Sequence, residues 1–286
     1  MQGVFLLLGA ALLWSAGGFL IKLVDVPGMA VSSGRSIVAV MTLMALTRRI
    51  PLRPSVAVVR CGLFYAVTVT SFVVATKLTT AANAIVLQYA APVYVALLSA
   101  HFLNERIVKR DWLAIGLVLV GMAIFFAAGI SVGSNLGNFV ALLSGLSFAS
   151  FVVTLRQIRD QNPVDAVILG NCVAFLVGLP WIIGSEWNAS SVVGVLVLGF
   201  FQLGLSYFLY TKAIMHVTAL EAVLIPVIEP ILNPVWVYLG MGEAPSPWAL
   251  CGGTLVLLAV TWRAVGVRKG RVALAPPGIT TPSATS

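Results

Sequence analysis

The chain has 286 residues, of which 60% are hydrophobic and 9% are charged, and its mean hydropathy is +1.04. Because a soluble domain carries about 25% charged residues, this composition excludes an ordinary soluble protein and predicts a polytopic membrane protein. The net charge of +8 is expected from basic cytoplasmic loops, since the basic residues form no nucleic-acid-binding motif. We therefore expect a lipid bilayer around the protein and no nucleic-acid partner.

Ten segments are long and apolar enough to cross a bilayer, which requires about 20 apolar residues. In chain order they are residues 3–23, 29–47, 59–76, 80–103, 111–129, 137–157, 164–184, 191–212, 217–240 and 246–265. The connections between them are short, so neighbouring helices are expected to be antiparallel. The remaining tail is rich in Pro, Ser, Thr and Ala, which predicts disorder.

The basic residues also predict the orientation of the chain. With the amino terminus in the cytoplasm, most Lys and Arg residues fall in inner connections, so both termini are predicted to be cytoplasmic. The outer side receives Lys22, Arg35 and Lys77. These three side chains are expected to lie near helix ends and to extend their charges to the membrane surface.

The fourth and ninth segments carry an internal repeat. When the chain is shifted by 138 residues, so that residue 79 falls on residue 217, residues 79–105 match residues 217–243. Proline and glutamate are scarce in and just after membrane segments, so their matches carry the most weight. The matched pairs of these types are Pro92 with Pro230 and Glu105 with Glu243.

A weaker repeat joins the first and sixth segments. With residue 3 placed on residue 137, residues 3–22 resemble residues 137–156. The matched pairs include Gly3 with Gly137, Trp14 with Phe148 and Lys22 with Arg156. The chain therefore contains two sets of five spans, and because five is odd, the second set must enter the membrane inverted. Inverted repeats are typical of secondary transporters, whose substrate site lies near the midplane between the halves.

This organisation predicts an all-α integral membrane protein of ten transmembrane helices around a central cavity. We assign residues 1–130 to the first five-helix repeat and residues 131–268 to the second, inverted one. Residues 269–286 form the predicted disordered cytoplasmic tail.

The pattern A-x-x-x-T-x-A…A-P-V-x-x-A-L-L-x-x-x-x-L-x-E runs here from Ala75 to Glu105 and resembles the EamA family of the drug/metabolite transporter (DMT) superfamily. The second copy, LIPVIEPILNPVWVYLGMGE, is similar, and the resemblance covers about residues 3–266. It implies a ten-helix basket around a central cavity. The family includes the YddG-type amino-acid exporters of bacterial inner membranes, so the resemblance also implies export of amino acids or related metabolites. Other members move sugars, nucleotide sugars, purines or amphipathic cations, so the substrate stays open.

The repeated prolines, Pro92 and Pro230, are predicted to kink their helices, since proline removes a backbone hydrogen bond. The kink either shapes the cavity and lets helix ends move, or is fixed for packing. The two copies also differ. In the alignment of the copies, Gln88 corresponds to Pro226 and Asn83 corresponds to Glu221. An asymmetric pocket is therefore expected on a symmetric scaffold.

Two acids, Glu221 and Glu229, lie inside the ninth segment. A carboxylate at membrane depth usually faces a cavity or a partner. Counted from Val217, Glu229 lies about 18 Å into a hydrocarbon core about 30 Å thick. It either binds a substrate ammonium group or a coupling proton, or it is a protonated, hydrogen-bonded group that stabilises the kink. Glu221 is expected at the cytoplasmic mouth or as a helix-start acid.

Aromatic and polar residues of the spans that line the cavity in similar transporters are candidates for substrate contact, although lipid contact or core packing remains the alternative for each. The cavity candidates are Trp14, Tyr65, Ser71, Gln88, Tyr89, Phe148, Tyr207 and Tyr210. Glu105 and Glu243 are expected to be structural acids at helix ends that cap a helix or pair with Arg106, Lys109 or Arg110. Ala141, Gly145 and Ala149 form a small-residue row that predicts close helix packing.

No catalytic residue, metal or cofactor is expected. The segment 129–133, GISVG, fits the G-x-S-x-G expression but lacks the strand–turn–helix context that would make Ser131 a nucleophile. The histidines and cysteines lack metal-ligand or disulfide spacing. They are His101, His216, Cys61, Cys172 and Cys251.

The sequence therefore predicts a multi-pass exporter of the bacterial inner membrane, working by alternating access on small metabolites, most of all amino acids. An exporter of amphipathic cations or drugs is the alternative. Protons are a candidate coupling ion. The oligomeric state is left open, and a monomer is compatible with the sequence.

Overall fold

The computed structural model describes residues 2–48, 50, 54–127, 134–232 and 246–273, without the side chains of residues 81–82 and 266–273. Ser131, Pro234, Glu243, the predicted repeat boundary at residues 130–131 and the tail from residue 274 lie outside the described residues. The described part of the chain is helical and contains no strand. Helices satisfy their own backbone polar groups, which a segment crossing lipid requires.

Several predicted spans consist of two or more helical pieces. The helices are α1 (Gln2–Trp14), α2 (Gly17–Leu23), α3 (Gly28–Thr47), α4 (Val56–Leu78), α5 (Ala81–Gln88), α6 (Ala91–Phe102), α7 (Lys109–Phe125), α8 (Asn135–Gln157), α9 (Pro163–Ile183), α10 (Ala189–Val197), α11 (Ser206–Ala213), α12 (Ala219–Leu224) and α13 (Pro247–Ala273). A π-helical stretch, Leu198–Leu205, joins α10 to α11. A 3₁₀ turn, Ile225–Val227, follows α12, and residues 228–232 are helical again.

Within the described ranges, 8 helices are long and apolar enough to cross a membrane by length and composition. They coincide with the predicted spans except the fifth and ninth. The fifth corresponds to α7, which has 17 residues, and the ninth begins at α12 and continues beyond residue 232. The all-helical membrane class is confirmed, whereas the count of ten spans stays a prediction.

The predicted tail needs one correction. Helix α13 continues to Ala273, so residues 269–273 are helical although the sequence analysis placed them in the disordered tail. Lys269, Arg271, Val272 and Ala273 tolerate a helix and Gly270 is the least favourable residue of the stretch, whereas Pro276 and Pro277 cannot continue a helix. The composition of the whole tail concealed this difference.

The first and sixth spans, which the weak repeat matches, each begin with a glycine that packs closely against the other half of the chain. A Cβ atom on Gly3 would lie 2.8 Å from Val217 Cγ1, and one on Gly137 would lie 2.9 Å from Thr79 Cβ. Residues 79 and 217 are themselves matched by the 138-residue shift. Only glycine permits both approaches, because real Cβ atoms do not come this close to other carbon atoms.

The basic residues at the ends of these spans, Lys22 and Arg156, each donate to a backbone carbonyl of their own half. Lys22 Nζ donates to Thr79 O at 3.0 Å, and Arg156 Nη1 donates to Ile214 O at 2.8 Å. Helix α1 packs on α11 of the second half, while α8 packs on α4 of the first half. The halves are therefore interlocked, and the space between them lies at the centre of the molecule.

Glu105 joins three elements where α6 ends. Its carboxylate accepts the Ala219 N–H at the start of α12, 3.2 Å from Oε2, and lies 3.6 Å from Arg156 Nε of α8. Burial raises the pKa of Glu105, and the Ala219 and Arg156 contacts oppose that rise. The expectation of a helix-capping acid agrees with this geometry, but the basic partner is Arg156 rather than Arg106, Lys109 or Arg110, because folding brings α8 beside the end of α6.

Glu221 caps its own helix. Thr218 N donates to Glu221 Oε2 at 2.8 Å, and Glu221 N donates to Thr218 Oγ1 at 3.2 Å, which forms a capping box at the start of α12. The repeat places Thr80 and Asn83 at the same position of α5, where Asn83 N donates to Thr80 Oγ1 at 3.0 Å. Glu221 is therefore a helix-start acid.

The small-residue row on α8 packs closely, as predicted. Ala141 and Ala149 are fully buried, and a Cβ atom on Gly145 would lie 2.9 Å from Gln88 O at the end of α5. The row lets α8 approach the backbone of the fourth span. It thereby sets the position of Gln88.

Candidate functional site

A cavity of about 650 Å³, including open space at its mouth, lies between the two halves. Its lining residues come from α1, α3, α4, α5, α6, α8, the π-helical stretch, α11, α12 and the segment after it. They are Trp14, Arg35, Thr68, Val69, Phe72, Gln88, Tyr89, Ala91, Pro92, Phe148, Gln202, Leu203, Tyr207, Val223, Pro226 and Glu229. Six of the predicted cavity residues, Trp14, Gln88, Tyr89, Phe148, Tyr207 and Glu229, are among them.

Aromatic rings from both halves form one side of this cavity. The Trp14 ring centroid lies 5.0 Å from that of Tyr207 and 5.3 Å from that of Tyr210, and Phe148 lies 6.4 Å from Tyr210. Trp14 and Phe148, which the repeat matches, therefore approach the same aromatic cluster from opposite halves. The cluster supplies a rigid surface for apolar or cationic groups.

Two predicted residues lie behind this surface, and one lies away from it. Tyr65 is fully buried and accepts a hydrogen bond from Asn171 Nδ2 at 3.0 Å. Tyr210 is fully buried and donates to Ala222 O at 3.1 Å. Ser71 does not line the cavity, and its hydroxyl donates within α4 to Val67 O at 2.5 Å. Its helix face, which hydropathy alone does not reveal, turns it away.

The fourth and ninth spans are broken where they meet the cavity. Helix α5 ends at Gln88 and α6 begins at Ala91, while the 3₁₀ turn Ile225–Val227 interrupts the ninth span. The 138-residue shift places residue 88 on residue 226, so both breaks occupy the same repeat position. Breaks of this kind often mark hinges. A hinge function for Pro92 and Pro230 stays a prediction.

Pro92 and Pro230 each lie one helical turn after the start of the break in their span. Because proline has no N–H group, it cannot donate a hydrogen bond to the carbonyl four residues before it. For Pro230 that carbonyl belongs to Pro226, and it accepts instead from Tyr89 Oη at 3.4 Å. Tyr89 of the first half therefore satisfies a backbone group that the proline of the second half leaves free. This contact couples the two broken spans.

Glu229 lies on the cavity wall beside the same tyrosine. Tyr89 Oη is 3.4 Å from Glu229 Oε2, and Glu229 is partly buried. The geometry agrees with both functions considered for Glu229, because the carboxyl group faces the cavity and also adjoins the proline break.

Arg35 corrects the sequence analysis. It was expected near the outer surface, but its side chain is only 1% exposed and lines the cavity. Arg35 lies seven residues after Gly28, where α3 begins, which is about 10 Å of helix rise and too deep for a charge that reaches water easily. The protein interior holds this charge because other helices supply acceptors at that depth.

Those acceptors come from two neighbouring spans. Arg35 Nη1 donates to Gln202 Oε1 at 2.7 Å, and Arg35 Nη2 donates to Val69 O at 2.7 Å. Gln202 lies in the π-helical stretch and is 7% exposed. A Cβ atom on Gly199, in the same stretch, would lie 2.6 Å from Arg35 O, so glycine brings the eighth span close to α3.

The Arg35 guanidinium is not fully satisfied. Its Nε is buried and has no hydrogen-bond partner among the described residues. Within the same residues, no ion pair joins Arg35 to Glu229 or to another acid. Both groups nevertheless lie within electrostatic range of Tyr207. The cavity thus carries a cationic group and a carboxyl group that do not neutralise each other by direct contact.

Arg35 and Gln202 were missed, although each had a signal. Arg35 is the single charged residue in the Gly28–Thr47 helix, and Gln202 is a lone amide in an apolar run. An intramembrane ionisable residue indicates a functional site by default. Snorkelling was the competing interpretation. For Lys22 and Lys77 it stays a prediction, and both side chains reach backbone carbonyls near the ends of their helices.

Interlocked helical halves around a central cavity with ionisable and aromatic walls define a multi-pass membrane protein of the transporter class. The chain belongs to the EamA-like transporter family, whose model matches residues 1–127 and 135–263. The resemblance drawn from the sequence is therefore confirmed.

Named relatives are transporters too. An uncharacterized transporter of Archaeoglobus fulgidus is 26% identical over 214 residues, covering 74% of this chain and 78% of that protein. Uncharacterized transporter YdfC of Bacillus subtilis is 30% identical over 200 residues, covering 68% of this chain and 65% of its own length. The pseudopaline exporter CntI of Pseudomonas aeruginosa is 28% identical over 188 residues, covering 62% of this chain and 64% of that protein.

One solved structure, described as the crystal structure of a protein, superimposes with a TM-score of 0.78 at 18% identity. The match covers 96% of this chain and 99% of that one. At this identity the likeness shows the fold alone.

Proposed function

We propose that this protein is a secondary transporter of the bacterial inner membrane that exports small metabolites, most of all amino acids, by alternating access. One observation carries the proposal: the Glu229 carboxyl group lines a cavity between two interlocked halves. Membership of a transporter family supports transport, and the exporter name of one relative supports the outward direction.

The energy source follows from the sequence. The chain contains no P-loop motif, so transport is facilitated or driven by an ion gradient. Glu229 is the group through which a proton would couple, because it is an ionisable side chain in the cavity wall. The basic inner connections support cytoplasmic termini.

A second candidate is export of amphipathic cations. The Trp14, Tyr207 and Phe148 rings together with the Glu229 carboxyl group favour it, since aromatic faces and a carboxylate both attract cations. In this function Glu229 would bind the substrate directly.

Efflux from proteoliposomes tests the proposal. Purified full-length protein is reconstituted with a mixed set of radiolabelled amino acids, and efflux is followed with and without a pH gradient. Efflux of several amino acids is expected, and acceleration by the gradient would identify protons as the driving ion. No efflux from folded protein would reject amino-acid export.

Glu229→Gln separates the two candidate functions of the acid. If Glu229 couples protons, neutral substrates are still carried but their transport loses its dependence on the pH gradient. If Glu229 binds the ammonium group of the substrate, cationic and zwitterionic substrates are both lost. Glu221→Gln is the matched control, because glutamine preserves the capping box and Glu221 does not line this cavity. If transport by Glu229→Gln is unchanged, Glu229 neither couples protons nor binds substrate, and its function is to stabilise the proline kink.

A further inference from the structure

The central cavity contains a charge that amino-acid export through Glu229 does not use. Arg35 lines the cavity with its side chain 1% exposed. Burying a lone cation is strongly unfavourable unless an anion or several acceptors compensate it. Among the described residues, Arg35 has one side-chain and one backbone acceptor, both neutral, and its Nε has none.

A guanidinium has five N–H donors arranged to match a planar oxyanion. The hydrogen bonds to Gln202 and Val69 occupy one donor on each terminal nitrogen. The remaining donors include the buried, unpartnered Nε–H. Gln202 and Val69 thus hold the group in place and still leave it able to bind an anion.

We propose that Arg35 binds the carboxylate of the transported molecule, so that the cavity selects zwitterionic, carboxylate-bearing substrates over cations. This inference rests on the proposed export function and adds the residue that defines its substrate class. Gln202 is the positioning residue, since its Oε1 fixes Nη1 at 2.7 Å. Glu229, beside Tyr89, is the complementary group for the ammonium end.

The same charge argues against the cation exporter. An amphipathic cation would enter a cavity that already contains an uncompensated guanidinium, and like charges repel strongly where water is scarce. A zwitterion brings one charge of each sign and matches both Arg35 and Glu229. The aromatic surface of Trp14 and Tyr207 is then left for the side chain of the substrate.

Matched ligands test the proposal on purified full-length protein. The set consists of leucine and phenylalanine, their decarboxylated amines 3-methylbutylamine and 2-phenylethylamine, and the deaminated acids 4-methylpentanoate and 3-phenylpropionate. Binding is measured as ligand-induced thermal stabilisation, and transport as competition with efflux of labelled leucine and phenylalanine. We expect the amino acids to bind best and the amines to bind about tenfold or more weakly, as removal of a charge-assisted hydrogen bond predicts.

Two variants test whether Arg35 causes the preference for amino acids over amines. Arg35→Gln should lower amino-acid transport about tenfold or more and remove the preference over the amines. Gln202→Glu keeps the size of the side chain and supplies an internal carboxylate for Arg35. It should lower amino-acid transport similarly while the melting temperature does not fall, so a folding defect cannot account for the loss.

The outcomes distinguish this inference from the function on which it rests. If wild-type protein transports the amino acids but binds the amines equally well, or if Gln202→Glu transports normally, Arg35 is structural and the inference is wrong although export stands. If folded wild-type protein neither binds nor transports the two amino acids, the efflux of the wider amino-acid set decides whether the proposed function fails as well. In either case a carboxylate-selective site for these substrates is rejected.

Discussion

At the scale of single residues, the buried ion pair between Asp111 and Arg263 is the clearest stabilising contact outside the cavity. Arg263 Nε lies 2.8 Å from Asp111 Oδ1, and both side chains are less than 9% exposed, at 8% and 7%. It joins the start of α7 to α13. Removing one partner leaves a buried charge without compensation, which is far more unfavourable than losing a surface pair.

Asp111→Ala should therefore lower the free energy of unfolding by about 3–5 kcal/mol. Asp160→Ala is the control, because Asp160 pairs with Arg159 at 3.4 Å in an exposed position and should change stability by less than about 1 kcal/mol. Thermal unfolding in detergent measures both variants. Equal shifts would show that the Asp111 pair contributes no more than a surface contact.

The cavity residues show how far residue-level prediction reaches. Trp14 and Phe148 were candidates as aromatic residues of spans that line the cavity in similar transporters, and the repeat added weight to both. Glu229 was a candidate because an acid stands out in an apolar span. Arg35 and Ser71 were misplaced, since a helix that is apolar all round carries no signal for which face meets lipid and which meets protein. Their environment depends on neighbours that the local sequence does not specify.

At the scale of helices, glycine governs how closely α8 approaches the fourth span. A Cβ atom on Gly145 would lie 2.9 Å from Gln88 O and 3.2 Å from Gln88 Cα, and these backbone atoms cannot rotate away as a side chain could. Gly145→Ala should lower the free energy of unfolding by about 1–3 kcal/mol, as overpacking does elsewhere. It should also disturb the cavity, because Gln88 lines it.

Gly116→Ala is the matched control on α7. A Cβ atom there meets nothing within 4 Å, so the higher helix propensity of alanine should leave stability unchanged or slightly increased. Melting temperatures of the two variants in the same detergent give the comparison. If Gly145→Ala melts no earlier than Gly116→Ala, close packing of α8 does not limit stability.

At the scale of the whole molecule, the predicted inverted repeat requires the two halves to cross the membrane in opposite senses. Lys22 with Thr79 and Arg156 with Ile214 form similar contacts, and the predicted inversion places them on opposite membrane surfaces. The connection at residues 158–162 is predicted to be cytoplasmic, and the connection at residues 184–188 to be external. In this predicted arrangement the cavity lies between the two membrane surfaces.

Cysteine accessibility tests that orientation. In a variant with Cys61, Cys172 and Cys251 replaced by alanine, a single cysteine is introduced by Asp160→Cys or by Glu186→Cys. A membrane-impermeant maleimide applied to intact cells should label Glu186→Cys and should label Asp160→Cys only after the cells are permeabilised. The opposite pattern would reverse the predicted orientation, and labelling of both in intact cells would contradict the number of crossings between them.

The sequence by itself determined the membrane class, the position of most spans and the presence of two repeats, because hydropathy and residue spacing along one chain encode them. It also identified six of the sixteen residues that line the cavity, among them Trp14, Phe148 and Glu229. Only the tertiary structure decided that α1 packs against α11 while α8 packs against α4. Only it placed Arg35 against Gln202, 167 residues apart in sequence. Lipid and protein core are both apolar, so the pattern of a spanning helix does not distinguish them, and the inward face is decided by packing between distant helices.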